Sequence, residues 1–365
     1  MKERFHKFRE FLEKYEGRIS FLFLIGGFIF DNLTLQRVDQ VLDIIIVVIY
    51  LGIAGGSIIF LNYFKEYEPH KNFFIWMREF FPFAIQFTLG GLFSVFLVFY
   101  SRSAAISSSW PFLVFLLLLL VGNEFFRNYY HRLTFQIAIY YVAILSFSIL
   151  ILPVLLKHMN AGIFLLSGLL SLVTMTLFTR ILLRVVSRRY KSSRVDINRI
   201  VAGIFIVVNI LYFTNLIPPI PLAMKDSGVY YSVTKSGENS YELIGEERGW
   251  YESIPFLYPT VMHLGAGEPV YVFSAVFAPT GLSTNVVHDW QHFDEETGKW
   301  VSVTKITFNI VGGRNDGYRV FSKKESLVNG KWRVDVKTER GQIIGRIGFS
   351  VEPSSSAVVF EKKVL

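Results

Sequence analysis

Seven windows of mostly apolar residues fill the first 218 positions of this 365-residue chain, and they limit its fold more than any other feature. They cover residues 19–35, 41–63, 80–100, 107–126, 135–156, 161–183 and 200–218. A helix needs about 20 such residues to cross the hydrocarbon core of a bilayer. The first window is cleanly apolar only over residues 19–30 and follows a basic leader. No small-residue cleavage site follows it, because Asp31, Asn32 and Leu33 come next, so it is read as an uncleaved anchor.

The loops between the windows sort by charge. The tail before the first window and the second, fourth and sixth loops hold eighteen Lys and Arg residues, whereas the opposite side holds only Arg37, Arg102 and Lys157. By the positive-inside rule the N-terminus is then cytoplasmic, and seven crossings export everything after Pro218. Residues 1–225 hold 22 basic and 12 acidic residues, net +10, and residues 226–365 hold 15 and 17, net −2. A nucleic-acid binder would carry its basic excess on a folded polar domain. Here the excess lies between apolar windows, so the expectation is a lipid bilayer as partner and no nucleic acid. Cysteine is absent, which removes disulfides, thiolate nucleophiles and zinc–thiolate sites.

Residues 1–18 place Phe5, Phe8, Leu12 and Tyr15 on one helical stripe among charges. That pattern fits a cytoplasmic amphipathic leader on the membrane surface, or a plain solvated leader. At the other end of the apolar region stands Ile217-Pro218-Pro219-Ile220-Pro221. Proline cannot continue a helix and favours extended chain, so a stiff exit is expected there.

After Lys225 the pattern turns from long apolar runs to short alternating ones. Residues 225–267 show no clear period and are read as a connector or as part of the outer domain. Seven strands are expected at 268–278, 284–293, 300–311, 318–323, 331–338, 342–351 and 357–362, with Gly, Asn, Asp and Pro between most of them. That spacing suggests a β-sandwich over residues 268–365. The predicted class is therefore α+β: a seven-helix transmembrane bundle over residues 19–224, then an extracytoplasmic antiparallel β-sandwich, Ig-like in type. One hairpin can be put in register. Trp332 opposite Phe349 and Val334 opposite Ile347 set apolar against apolar, which brings Asp335 to Arg346 and makes Arg340-Gly341 a two-residue turn.

The run Tyr271 to Leu282, followed by His288-Asp289-Trp290, Gly312-Gly313-Arg314, Gly317-Tyr318-Arg319, Ser322, Gly330 to Val334 and Gly345 to Phe349, resembles the C-terminal domain of domain-of-unknown-function family 2914. The segment Phe30 to Asp39 and the pair Asn123-Glu124 are similar to the membrane half of its multi-pass bacterial members. The resemblance implies a bacterial envelope membrane protein and supplies no activity.

Three groups of polar residues stand out as candidate binding positions. Asp31, Asn32, Arg37, Asp39 and Asp43 crowd the first outer turn. They could hold a cation, a proton or a polar headgroup, or form a tight turn with Asp39 as helix cap tied by Arg37. Asn123 and Glu124 lie at the inner end of the fourth window beside Arg127 and His131, where Glu124 reads as an ion pair with Arg127 or as an acid–base group. Asn209, in the seventh window, reads as an interhelical hydrogen-bonding residue. In the outer domain His288, Arg314, Arg319 and Arg333 stand among Trp290, Trp300 and Trp332. Arginine with aromatics suits an anionic glycan, a phosphate or a carboxylate. Trp332 alternates inward with Val334 and belongs to the core.

No cofactor or metal is expected, because a lone His288 lacks a second ligand at metal spacing and Gly312-Gly313 reads as a turn. Neither a nucleophile elbow nor a dinucleotide fingerprint occurs. The expected function is thus an envelope membrane protein that presents its outer domain to an envelope glycan or protein. A transporter or channel and a membrane-embedded enzyme stand as alternatives, and the oligomeric state is left open.

Overall fold

The computed structural model describes all residues except 1–24, 36, 68–71, 126–128, 131, 238–239, 247–259, 266 and 355–358. The leader at 1–18 therefore lies outside the described residues. Two compact units result: a helical unit of 1–101, 111–156 and 160–214, and a β unit of 102–110, 157–159 and 215–365.

Among the described residues the chain forms seven α-helices: α1 (25–34), α2 (Val41–Tyr67), α3 (Asn72–Ser103), α4 (Ile106–Phe125), α5 (Leu133–Leu156), α6 (Ala161–Val185) and α7 (Ser187–Phe213). Five stretches, in α2, α3, α5, α6 and α7, are long and apolar enough to cross a membrane, and α4 offers a shorter apolar stretch over Ser108–Asn123. This supports membrane association, with five such spans among the described residues; the expected count of seven is not reached there, and the start of the first window lies outside them. The large exposed residues of α2, among them Val41, Leu42, Ile45 and Ile49, give it an apolar outer surface. That is the surface a lipid solvent requires, since burial there has no hydrophobic drive.

The apolar run of α5 is buried along its length, from Leu133 through Ile137, Tyr141 and Ile144 to Pro153. It packs against α2, α6 and α7. Small residues permit that approach. A Cβ on Gly55 of α2 would come within 2.5 Å of the Tyr140 hydroxyl, and one on Gly168 of α6 within 2.8 Å of Phe205. Helix α7 ends at Phe213 with Thr214 as its C-cap, so the following prolines are not helical. They do not run straight either. Ile220 N–H donates to Pro218 O and Leu222 N–H to Pro219 O, so the expected stiff exit is a folded turn, with Ile217, Ile220 and Leu222 buried.

Among its described residues the β unit has eleven strands: β1 (Ala223–Tyr230), β2 (Ser232–Lys235), β3 (Tyr241–Glu246), β4 (Thr260–Leu264), β5 (Val270–Phe277), β6 (Ser283–Asp294), β7 (Lys299–Val311), β8 (Tyr318–Lys324), β9 (Gly330–Thr338), β10 (Ile343–Pro353) and β11 (Phe360–Val364). They make three sheets, ordered β1-β5-β8, β4-β10-β9-β6-β7 and β11-β3-β2. All pairings are antiparallel except β4 with β10.

The Ig-like two-sheet sandwich is corrected accordingly. The β1-β5-β8 sheet is covered on both faces. Val270, Val272 and Val276 join a core with Val286, Trp290, Trp332, Val334 and Phe349 of the five-stranded sheet. Phe273 and Ala275, pointing the other way, pack with Val233 and Leu243 of the third sheet. Strand β5 reads Val-Tyr-Val-Phe-Ser-Ala-Val-Phe because a middle layer is apolar at both parities. Residues 225–267, without visible period, contribute strands to all three sheets.

The expected hairpin register holds: Trp332 faces Phe349, Val334 faces Ile347 and Asp335 faces Arg346. The turn differs. A bulge between Ile343 and Gly345 shifts the pairing by one residue, so Glu339-Arg340-Gly341 forms a three-residue turn with Gly341 at φ 94°.

Candidate functional site

The polar groups of the β unit fall into three arrangements, each set by strand register. The first lies inside the main core. His288 of β6 points inward between Val286 and Trp290, and all three are fully buried. Its Nε2 is 2.8 Å from Ser274 Oγ on β5 and its Nδ1 is 2.8 Å from Ser322 Oγ on β8. Trp290 Nε1 donates to the same Ser322 oxygen at 3.0 Å. Burial lowers the imidazole from 6.5 to about 4, so it is neutral at pH 7. A neutral, fully buried imidazole with a hydroxyl at each nitrogen ties two sheets together.

The second arrangement covers the opposite face of the five-stranded sheet. Register sets Asp289 of β6 directly opposite Asp335 of β9, a pairing that repels. Each carboxylate is offset by a cation. Lys337 Nζ and Ser302 Oγ each donate to Asp289 at 2.5 Å, and Gln291 Nε2 donates to it at 2.6 Å. Arg346 grips Asp335 through two bonds of 2.6 and 3.0 Å. Arg333 Nε donates to Gln291 Oε1 at 2.8 Å, and its guanidinium lies 4.3 Å from the centre of the Trp300 ring. Burial alone would raise the Asp289 carboxyl, but the bonds from Lys337, Ser302 and Gln291 outweigh it and hold the carboxyl below the usual range. Asp289 and Asp335 are buried beneath these longer side chains, so the face is a closed charge lattice.

The third joins β3, β4 and the β1–β2 link. Tyr231 hydroxyl donates to Glu246, whose carboxylate also accepts from His263 N–H at 3.0 Å and lies 3.2 Å from His263 Nδ1. Burial raises Glu246, but the bonds from Tyr231 and His263 prevail and lower it, while burial and Glu246 push the Tyr231 phenol up. The sequence analysis missed this group, because its members lie in the segment without period. The only available signal was the local run of Tyr, Glu and His residues.

The four β-unit residues selected from sequence do not converge. His288 is in the core, Arg333 is on the far face of the sheet, Arg319 is on β8 opposite Ala275, and Arg314 lies 5.1 Å from the ring centre of Tyr318.

In the helical unit the polar residues expected to crowd one turn also divide. Arg37 grips Asp39 through bonds of 2.9 and 2.6 Å. Asp31 accepts from Ser94 of α3. Asn32 is exposed on α1. Asp43 sits in the first turn of α2, buried, and its Oδ2 has no hydrogen-bond partner among the described residues. Among the described residues no group of three or more acidic or histidine side chains is placed to hold a metal.

At the end of α4, Asn123 is buried, donating to Gln86 O at 3.0 Å and accepting from Tyr130. Gln136 of α5 donates to Tyr130 O and accepts from Asn62 of α2. This buried amide ladder links four helices and was invisible in sequence beyond Asn123. The Glu124 side chain, Arg127 and His131 lie outside the described residues. Asn209, expected to bond between helices, donates within α7 to Phe205 O at 2.8 Å.

No curated protein matches the chain. A solved structure, Pseudomonas fluorescens alkylpurine DNA glycosylase AlkC bound to DNA containing an abasic site analog, matches over 87% of this chain and 99% of that one, at 10% identity and a TM-score of 0.19. The exclusion of nucleic acid drawn above rested on charge placement alone and is not carried further. At that TM-score the likeness carries no argument for any partner, and the other partner expectations draw no support from it. The resemblance noted in the sequence is shown for the C-terminal region alone: residues 283–351, from β6 into β10, match the family model described as Protein of unknown function (DUF2914).

Proposed function

We propose that this is a multi-pass envelope membrane protein whose helical unit anchors it and whose β unit, on the extracytoplasmic side, binds an envelope polymer or partner protein. One observation carries the reading. Residues 102–110 and 157–159, which hold the Arg102 and Lys157 that charge sorting assigns to the cation-poor side, belong to the same compact unit as the strands. The three arrangements of polar groups support a binding role, because they rigidify the β unit. A rigid surface loses less entropy when it binds.

The test is site-specific photo-crosslinking in native membranes, from exposed β-unit positions such as Thr307 and Lys299. A reproducible crosslinked polymer or protein supports the reading. A transport reading has its own motivation in the buried Asp43 oxygen, which has no partner among the described residues. Solute flux in reconstituted vesicles that Asp43→Asn abolishes, with no crosslinks from the β unit, would replace the first reading with the second.

A further inference from the structure

Strand β7 is an open edge. It ends the five-stranded sheet, runs for 13 residues and contains no proline. Among the described residues its backbone pairs with β6 alone. Gly312 N–H donates to Leu282 O, which fixes the alternation of the ladder. By that alternation the N–H and C=O groups of Lys305, Thr307, Asn309 and Val311 point away from β6. Proteins usually shorten or block such edges. Several other edge strands here are short, with four residues in β2 and five each in β4 and β11. By contrast β7 is long and rich in β-branched residues, with Val301, Val303 and Val311 about half exposed.

Its charge limits what can pair with it. Residues 299–311 hold Lys299 and Lys305, both exposed, and no acid. A second copy of β7 would set lysine near lysine with no carboxylate in the strand to offset them. We propose that the free edge of β7 is a strand-addition site for an extended, acidic polypeptide segment of a partner protein. Backbone bonds to the 305–311 stretch supply affinity, and carboxylates meeting Lys299 and Lys305 supply selectivity. The proposal rests on the reading of the β unit as a binding module and names the partner's chemistry.

The test uses the full chain in nanodiscs and a fluorescent peptide of about nine residues alternating Glu with Val. Saturable binding is expected. Methylating alternate peptide amides, which removes their donors, is expected to weaken it at least about tenfold. Thr307→Pro is expected to do the same, because it removes one outward N–H and leaves the bonds to β6 intact. Lys305→Glu is expected to weaken the Glu peptide and to favour one alternating Lys with Val.

The methylated peptide needs no variant to fold, so it decides the matter alone. Equal binding of the methylated and parent peptides, or no binding of the parent at millimolar concentration, overturns the proposal. If the peptide fails while β-unit crosslinks persist in native membranes, the edge is wrong and the binding module stands. If both fail, both fall.

Discussion

His288 shows how little a residue type reveals about its role. A histidine beside tryptophan in a polar domain suggests a ligand contact, yet the side chain is enclosed between Ser274 and Ser322. A consequence for pH follows. The unfolded chain binds a proton near 6.5 and the folded chain only near 4. Below pH 6.5 the unfolded state therefore holds more protons. Stability present above 6.5 is lost as pH falls towards 4, by about 3 kcal/mol. Hydrogen exchange of β6 amides in the full protein, compared at pH 7.5 and 5, should show this loss. His288→Asn should flatten the difference, and an unchanged pH dependence in that variant would remove the account. Polar residues like these were the least legible from sequence. Whether Arg333 faces a ligand or Gln291 and Trp300 is decided by strands distant in the chain, since Gln291 lies 42 residues away.

At the scale of elements, spacing was a better guide. The register of β9 against β10 followed from matching apolar faces, since a slip of one residue would have exposed Trp332 and Val334. Turn details were harder, because the bulge at Ile343–Gly345 depends on what lies across the sheet. Two glycines of the matched region illustrate the difference. A Cβ on Gly312 would lie 1.9 Å from the backbone oxygen of Pro279, and backbone cannot rotate away. Gly312→Ala should therefore cost at least about 3 kcal/mol in denaturant unfolding. Gly348 has no atom within 4 Å of such a Cβ, so Gly348→Ala should be within about 0.5 kcal/mol of neutral. Similar costs for the two would contradict the packing. In the helical unit, Asn62 and Gln136 should couple by roughly 0.5–2 kcal/mol in a double-mutant cycle to Leu, read from unfolding in detergent. Independent effects would show that the amide ladder holds nothing together.

For the whole molecule, the absence of cysteine makes orientation directly measurable. Single replacements Thr307→Cys in β7 and Thr179→Cys in α6, probed with a membrane-impermeant maleimide on intact cells, should label the first and spare the second. Labelling of neither until lysis would place the β unit inside the cell and reverse the proposed topology. What the sequence determined alone was what depends on neighbours along the chain. Long apolar runs and their flanking charges mark the helices, and alternation marks the seven later strands, because helix and strand periods are local properties. Only the tertiary structure decided the third sheet, the service of β5 as a middle layer, and the partners of His288, Asp289 and Asn123. Those contacts join residues distant in sequence, and a side chain's surroundings are fixed by the elements stacked against it.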